Sequence, residues 1–400
     1  MDSAIRKSSS RARRSMWITI GAGVVLLALI GIGVGVGVSV AKKNSSPKSA
    51  VANGNAGAST DGSSGGSTSG GSNAPSDGGT VADPNDPSNF SKDARLHKSF
   101  YGLAYTPDGS IMPDCGATLP SVIRDVQIMS QLTTRLRLYG SDCNQTALVL
   151  EAIKQTKVDL SVYVGNYVEA DDNGAAYQRQ RDTMKAALQT YGVDHVLGVT
   201  VGNEFMLNYL NGGDDPNSAM ANTGAAILIA DIKDTRDMLT SLNLPKTLPV
   251  GTSDAGSYFN TEVLEAVDYG MSNVHAWFAS VDAAGAAAWV FDFFNETNVT
   301  PAAALANSPK MYIAETGWPT NSSDVAHETN GPGTASVAGL QTFLDTFVCQ
   351  ANSAGIGYFF FEFFDEEWKD ALYGGVEGWW GLFDKDRNLK PITIPNCASP

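Results

Sequence analysis

Cysteine is scarce in this 400-residue chain, and the spacing of the few cysteines present argues against two kinds of site. No CxxC pair occurs, which disfavours a zinc cluster or a dithiol redox centre. No metal-ligand cluster, phosphate-binding loop or dinucleotide fingerprint is found either. The sequence therefore predicts a protein without metal or cofactor. The four cysteines are Cys115, Cys143, Cys349 and Cys397.

Basic residues are also few. The chain has 27 lysines and arginines against 42 aspartates and glutamates, a net charge of −15 at pH 7. Because several of the bases lie near the N-terminus, the remainder of the chain is more acidic still. An acidic surface repels the phosphates of nucleic acids. We therefore expect no nucleic-acid partner.

Charge is absent from residues 15–41. These 27 positions, at about 1.5 Å per residue, would form roughly 40 Å of helix, enough to cross a bilayer with some tilt. We predict a single transmembrane signal anchor here. A cleavable signal peptide is the alternative, although its apolar region ordinarily spans only about 7 to 15 residues.

The segments that flank the predicted anchor indicate its orientation. Residues 1–14 form a basic tail that should remain cytoplasmic. The bulk of the chain would then lie outside, as in a single-pass type II protein of the plasma membrane. Residues 42–90 are rich in glycine and serine and lack apolar periodicity, which predicts a flexible, disordered linker. Residues 91–400 would form the globular domain, for which we expect a monomer.

All four cysteines lie in the part of the chain that would face the oxidising exterior, so two disulfides are expected. Three pairings are possible, and nearness in the sequence favours Cys115 with Cys143 and Cys349 with Cys397. The same part carries sequons for N-glycosylation. The candidate acceptors are Asn89, Asn144, Asn295, Asn298 and Asn321.

Short apolar runs alternate with helical patterns from residue 101 onward. Parallel strands buried on both faces read as continuous apolar runs. Eight strand–helix units match the length of an α/β fold of the (β/α)8 TIM-barrel type, and a doubly wound open sheet is the alternative. No clear helix follows the last run, so the final helix should be short or displaced. The predicted strands are 101–105, 134–139, 160–165, 196–203, 249–253, 273–278, 310–314 and 357–363; the predicted helices are 121–132, 146–156, 177–191, 218–242, 261–269, 283–295 and 336–353.

Two of the predicted strands end in a glutamate, Glu204 on the fourth and Glu315 on the seventh. Residues that end barrel strands converge on one face, and two carboxyls about 5 Å apart there suit a retaining glycosidase. The alternative for either residue is a salt-bridged strand end without catalytic function.

Four motifs together resemble glycoside hydrolase family 17, the β-1,3-glucanases and glucanosyltransferases, and most of all its fungal cell-wall members. The resemblance covers about Tyr101 to Lys390. It implies a β-glucan polysaccharide or oligosaccharide as substrate, Glu204 as the proton donor and Glu315 as the nucleophile. The motifs are VGNE at 201–204, AETGWP at 314–319, FDEEWK at 364–369 and WGLF at 380–383.

These two functions need opposite protonation states. Glu204 must be protonated before the reaction, which requires apolar surroundings or a nearby negative charge, whereas Glu315 must stay ionised and needs hydrogen-bond donors. Asn203, beside the acid, could donate to the sugar 2-OH. Its alternative role is to cap a helix.

Other binding residues are predicted from position and chemistry. His275 and Trp277 close the sixth predicted strand, and His275 could reach Glu315; a purely structural histidine is the alternative. Glu366 and Lys369 match a Glu and a Lys that the family keeps near its cleft, with a solvated surface pair as the alternative. Aromatic rings suit the apolar faces of sugars. The candidate aromatic residues include Tyr105, Trp318, Trp368 and Tyr373.

The sequence leaves open what resolves the glycosyl-enzyme intermediate. Water would make the protein an endo-β-1,3-glucanase, and a second glucan chain would make it a glucanosyltransferase that remodels the cell wall. A glucan-binding wall protein without turnover is the rival from another class, and the presence of both carboxylates with their flanking residues argues against it.

Overall fold

Eight parallel strands close into a barrel in the computed structural model, which describes residues 85–399. Strand order follows the chain, and β8 pairs with β1 to close the ring. The (β/α)8 fold is therefore confirmed and the open sheet is excluded. The strands are β1 Gly102–Ala104, β2 Arg135–Arg137, β3 Ser161–Asn166, β4 Val196–Asn203, β5 Val250–Ala255, β6 Tyr269–Asn273, β7 Lys310–Thr316 and β8 Tyr358–Phe360.

Helices pack around the barrel, and several begin at a side chain that caps the first turn. The Oγ1 of Thr118 accepts from the Ser121 backbone N–H, with Pro120 in the first turn. The last helix has only seven residues, so the predicted short eighth helix is confirmed. The helices are α1 Leu119–Met129, α2 Gln145–Thr156, α3 Ala175–Tyr191, α4 Phe205–Tyr209, α5 Ala219–Ser241, α6 Thr261–Ala266, α7 Ala283–Phe294, α8 Thr300–Ala303, α9 Val337–Ser353 and α10 Glu367–Tyr373.

Aromatic side chains fill the interior of the barrel. The ring of Tyr163 lies 5.3 Å from that of Tyr269 and 5.6 Å from that of Phe359, both edge-on. Gly251 gives the Tyr269 ring its place, because a Cβ at this position would lie 2.2 Å from a ring atom. The barrel is thus a packed core, and the site must lie at its mouth.

The sixth strand lies earlier in the chain than predicted. The apolar run at 273–278 suggested a strand, but β6 is Tyr269–Asn273. Its residues alternate between large side chains and the small Gly270 and Ser272, which carry little apolar signal. The run after β6 is instead a buried loop that carries His275 and Trp277.

Both favoured disulfides are present, Cys115–Cys143 and Cys349–Cys397. The predicted tail at 1–14, anchor at 15–41 and most of the predicted linker at 42–90 lie outside the described residues. Among residues 85–399, no helix combines the length and the apolar character that a bilayer crossing demands.

One candidate glycosylation site is corrected by its burial. Asn298 is 1% exposed; its Nδ2 donates to the Gly256 carbonyl at 2.7 Å, and its Oδ1 accepts from the Ser272 hydroxyl at 2.7 Å. The folded barrel leaves no room for a glycan on this nitrogen. The side chains of Asn89, Asn144, Asn295 and Asn321 are exposed and remain predicted acceptors.

Candidate active site

A cavity of about 280 Å³ opens at the carboxyl ends of the strands. Both candidate catalytic residues line it. The structure also brings Asn203, His275 and Lys369 to this cavity, as the sequence predicted. Further lining residues include Tyr139, Tyr167, Trp368, Tyr373 and Glu377.

Glu204 lies at a sharp corner between β4 and α4. Its φ of 57° is left-handed, a conformation that only surrounding contacts maintain for a residue with a side chain. Its backbone N–H donates to the Ser253 carbonyl at 3.1 Å. The buried carboxylate of Asp254 accepts from the backbone N–H of Met206 at 2.8 Å and of Leu207 at 3.3 Å. These bonds fix the turn that aims Glu204 into the cavity.

The surroundings of Glu204 favour its protonated form. Burial is the largest cause, followed by the negative charge of Glu315; together they raise the pKa of Glu204 to about 7, although a hydrogen bond from Asn273 opposes them. That bond runs from Asn273 Nδ2 to Glu204 Oε1 at 3.0 Å. Glu204 therefore has the pKa that a general acid requires near neutral pH.

Glu315, at the end of β7, is held in the opposite state. Arg137 Nη1 lies 2.9 Å from its Oε1, and His275 Nε2 lies 3.2 Å from its Oε2. Burial alone would raise the pKa of Glu315, but these two partners outweigh it and lower the pKa to about 2. An ionised carboxylate at neutral pH can act as a nucleophile.

Arg137 links Glu315 to the residue beside the acid. Its Nη2 donates to Asn203 Oδ1 at 2.6 Å and to Ser253 Oγ at 2.9 Å. Because Asn203 Oδ1 accepts from Arg137, the amide is fixed in orientation and its Nδ2 is available to donate to a ligand. This geometry suits the predicted hydrogen bond to a sugar hydroxyl.

Aromatic rings hold His275 against Glu315. The imidazole lies edge-on to Trp380, with centroids 4.9 Å apart, and to Phe361 at 5.3 Å. These contacts restrict the rotation of the ring, so its Nε2 stays directed at the carboxylate.

In the predicted pair, Glu366 is buried and the side chain of Lys369 is 12% exposed, and a third residue, Glu362, joins them. Lys369 Nζ lies 2.6 Å from the carboxylate of Glu366 and 2.6 Å from that of Glu362. Burial alone would lower the pKa of Lys369, but the two carboxylates raise it above its usual value. The ammonium therefore stays charged beside the cavity, and a solvated surface pair is excluded.

Glu377 is a further carboxyl that lines the cavity. Burial raises its pKa to about 7, although the charge of Lys369 opposes the rise. It lies in the irregular segment after α10, where no periodic pattern predicts a position for its side chain.

Four predicted binding residues do not line the cavity: Tyr105, Trp277, Trp318 and Glu366. The hydroxyl of Tyr105 donates to Asp125 at 2.9 Å, and only 1% of the residue is exposed. Trp318 is fully buried, donates from Nε1 to the Thr334 carbonyl at 3.0 Å, and packs edge-on against Trp277 at 5.5 Å. Tyr105, Trp277 and Trp318 support the walls of the barrel from behind, so none of these three reaches a sugar in this arrangement.

Arg137 and Asn273 are two site residues that the sequence did not predict. The strand motif RLRLY at 135–139 does indicate the position of Arg137. Side chains alternate between the two faces of a strand, so when the leucines of this motif face the helices, Arg137 must face the interior of the barrel. The predicted strand at 273–278 places Asn273 at its start, whereas Asn273 ends β6 and from there approaches Glu204.

Comparison with known proteins agrees with this geometry. The family model of the BtgE/BtgC glycoside hydrolase domain matches residues 102–381. The chain is 37% identical over 318 residues to a protein of Aspergillus fumigatus named probable glucan endo-1,3-beta-glucosidase btgC, covering 76% of this chain and 44% of the relative. It is 35% identical over 320 residues to the glucan endo-1,3-beta-glucosidase btgC of Emericella nidulans, covering 76% and 47%.

A solved structure shows the same barrel. The glycoside hydrolase family 17 β-1,3-glucanosyltransferase of Rhizomucor miehei superposes with a TM-score of 0.60 at 25% identity, over 74% of this chain and 98% of that protein. The chain spans about half the length of the curated relatives it matches. Because the family model covers well over half of the chain, the protein belongs to the BtgE/BtgC glycoside hydrolases of glycoside hydrolase family 17.

Proposed function

We propose that the protein is a retaining glycosidase that cleaves β-1,3-glucan with Glu315 as nucleophile and Glu204 as acid and base. The observation that carries this proposal is the opposite protonation of two glutamates in one cavity, with pKa values near 7 for Glu204 and near 2 for Glu315. Pairs of carboxyls whose environments separate their pKa values are typical of glycosidases. The names of the relatives supply the substrate class.

In the first step, the carboxylate of Glu315 attacks the anomeric carbon of the sugar. The bond from that carbon to the glycosidic oxygen breaks, and the electron pair stays on the oxygen, which takes the proton of Glu204. Arg137 and His275 must release part of their hold on Glu315 as its charge passes into the new ester bond. The free Nδ2 of Asn203 donates to the sugar as positive charge develops on the ring.

In the second step, Glu204 is ionised and acts as a base. It accepts a proton from an incoming hydroxyl, whose oxygen attacks the anomeric carbon and displaces Glu315 as a carboxylate. The charge of Glu315 then returns and, together with burial, the larger cause, again raises the pKa of Glu204. The site is thereby reset for another cycle.

Glucan transfer is the second candidate function. It differs from hydrolysis only in the incoming hydroxyl, which belongs to another glucan chain. The observation that favours it is the likeness to the Rhizomucor miehei glucanosyltransferase, which extends over nearly the whole of that protein.

The experiment is to incubate the purified full chain, in detergent, with laminari-oligosaccharides of defined length and to weigh the products by mass spectrometry. Products longer than the donor indicate transfer, and shorter products alone indicate hydrolysis. We expect Glu315→Gln to abolish either reaction, while Glu328→Gln, at an exposed position, retains it. A wild-type chain that leaves every oligosaccharide unchanged would contradict the proposal.

We also propose that residues 15–41 anchor the enzyme in the plasma membrane, with residues 85–399 outside and facing the cell wall. The uncharged run supports the anchor. Two disulfides and four exposed sequons support an oxidising, secretory route for the barrel. The test is carbonate extraction of cell membranes, followed by protease treatment of intact cells stripped of their wall. Release of the protein by carbonate, or protection of the barrel from protease, would overturn this proposal.

A further inference from the structure

A single glutamine side chain joins the ends of two strands at the mouth of the barrel. Gln180, on α3, is 2% exposed and lines the catalytic cavity. Its Oε1 accepts from the backbone N–H of Ser141 at 2.9 Å and from that of Tyr167 at 3.0 Å, and its Nε2 donates to the Tyr167 carbonyl at 2.9 Å. Because Ser141 follows β2 and Tyr167 follows β3, this amide bridges two neighbouring strands.

The bridge lies beyond the point where the backbone pairing of these strands ends. The register of β2 with β3 runs as far as Arg137 and Tyr163. Buried backbone N–H groups beyond that point still need acceptors, and Gln180 supplies one oxygen for two of them. Its approach to the chain is close, since a Cβ at Gly140 would lie 2.6 Å from Gln180 Oε1. The side chain of Gln180 therefore continues the connection that the sheet no longer makes.

The beginning of α3 holds Gln180 in position. The carboxylate of Asp172 accepts from the backbone N–H of Gly174 at 2.8 Å, just before the helix. Asn166, which ends β3, donates from Nδ2 to the Tyr177 carbonyl at 3.2 Å in the first turn. The helix is thus tied to the same strand end that Gln180 holds one turn later, and the amide is fixed by the packing of a regular element.

The two joined segments carry tyrosines that lie beside the catalytic carboxyls. Tyr139 and Tyr167 both line the cavity. The guanidinium carbon of Arg137 lies 4.3 Å from the centre of the Tyr139 ring, and Arg137 in turn binds Glu315 at 2.9 Å. Burial and then the charge of Glu315 raise the pKa of Tyr139, whereas burial and then the charge of Glu204 raise the pKa of Tyr167. Each tyrosine is therefore near a different member of the catalytic pair.

We propose that Gln180 is a positioning residue of the glycosidase reaction, because it fixes the two strand ends that carry Tyr139 and Tyr167. It acts through these residues. Tyr139 supports Arg137, and through it the nucleophile Glu315, while Tyr167 borders the acid. A displacement of about 1 Å in a catalytic group can cost about a hundredfold in rate, so the loss of this bridge should reduce turnover. This inference rests on the proposed glycosidase activity.

The experiment measures kcat and KM of the full chain, in detergent, on a laminari-oligosaccharide at pH 5, where Glu204 is protonated. Gln180→Leu removes all three hydrogen bonds of the amide and should lower kcat by about tenfold or more, with KM changed by less than about threefold. Gln180→Glu keeps the Oε1 acceptor for both backbone N–H groups and should retain kcat within about threefold of wild type. Circular dichroism at the assay temperature gives the folded fraction, so that each kcat refers to folded protein.

The matched control is Gln131→Leu, at a buried glutamine near the end of α1 on the opposite face of the barrel. Gln131 also bridges separate backbone groups: its Oε1 accepts from the Asp93 N–H at 2.8 Å, and its Nε2 donates to the Gln127 carbonyl at 3.2 Å. Its replacement should lower the temperature of thermal unfolding and leave kcat within about twofold of wild type.

The outcomes separate this inference from the proposed function. If the wild-type chain cleaves no laminari-oligosaccharide, the proposed function fails. If it does cleave them, and Gln180→Leu retains its kcat or Gln180→Glu loses as much kcat as Gln180→Leu, only the positioning role is overturned. A raised KM at unchanged kcat would assign Gln180 to substrate contact instead. An equal loss of kcat in Gln131→Leu would show that activity follows the stability of the fold, and it would overturn the positioning role as well.

Discussion

Two glutamates of the same cavity differ in charge because they have different hydrogen-bond partners. Glu315 is buried and Glu204 is partly buried, and burial alone raises either pKa. Glu315 faces the guanidinium of Arg137 and the imidazole of His275, whereas Glu204 meets a single amide donor from Asn273. The sequence could supply both acids, since each ends an apolar strand, but not the partners that set their charges, which come from other strands.

The first prediction at this scale concerns the dependence of activity on pH. Catalysis requires protonated Glu204 and ionised Glu315, so kcat/KM should stay level in weak acid and fall as the pH rises through about 7. Replacing Asn273 by Ala removes the hydrogen bond that stabilises ionised Glu204, so the alkaline fall should move to higher pH. The measurement is kcat/KM for a laminari-oligosaccharide from acidic to alkaline pH. An alkaline limb that stays in place or moves downward in Asn273→Ala would contradict the assignment.

The second prediction concerns stability. The pKa of Glu204 is about 7 in the fold and about 4.3 in an unfolded chain, so its protonation stabilises the fold in acid, and this contribution is lost as the pH rises through 7. Glutamine cannot ionise, so the variant Glu204→Gln does not lose this contribution. The difference in free energy of unfolding between the variant and wild type should therefore grow in the variant's favour by about 2 kcal/mol as the pH rises from 5 to 8. Urea unfolding of a soluble fragment that begins at residue 85 measures this difference. Glu328→Gln is the control and should show no such trend; a constant difference in Glu204→Gln would refute the pKa shift.

At the scale of elements, the strands with a strong apolar signal could be predicted and the polar strand could not. β4 was predicted at its observed bounds, since Val196–Asn203 contains three valines and a leucine. The prediction for β6 was wrong because this strand has small residues on one face and a tyrosine on the other. Such a sequence contains no continuous apolar run. The position of Asn273 depends on this register, which pairs it with Ala255 on β5.

The short helix α4 carries the next prediction, because its first turn positions the acid. Asp254 accepts the backbone N–H groups of Met206 and Leu207, so Asp254→Ala leaves both without an acceptor and frees the left-handed turn at Glu204. A small displacement of a catalytic group can cost a large factor in rate, and we expect kcat to fall by about ten- to a hundredfold with little change in KM.

The conservative variant distinguishes this positioning role from a general loss of structure. Asp254→Asn keeps one acceptor oxygen and should recover part of the lost kcat, while thermal unfolding of both variants reports the state of the fold. If Asp254→Ala keeps full kcat, or if activity falls only in proportion to unfolded protein, Asp254 does not position Glu204.

At the scale of the whole molecule, the chain enters the barrel on the face opposite the cavity. α1 runs back from the carboxyl end of β1, so its last turn lies where the strands begin. There Gln127 Nε2 donates to the Pro87 carbonyl at 2.8 Å, and Gln131 Oε1 accepts from the Asp93 N–H at 2.8 Å. With the proposed anchor on the N-terminal side of this entry point, the cavity would face away from the bilayer.

This orientation predicts how a shorter tether should act. In vesicles that carry the full chain, deletion of residues 49–80 should leave the rate on soluble laminaritetraose within about twofold, because the proposed orientation would put the membrane behind the barrel. The deletion should reduce the rate on insoluble glucan particles, since the domain would reach less far from the membrane. Rates of reducing-sugar release measure both. In detergent micelles, where no bilayer limits the approach, the deleted and full chains should act equally on the particles. Loss of activity on the soluble substrate in vesicles but not in micelles would show that the cavity faces the membrane instead.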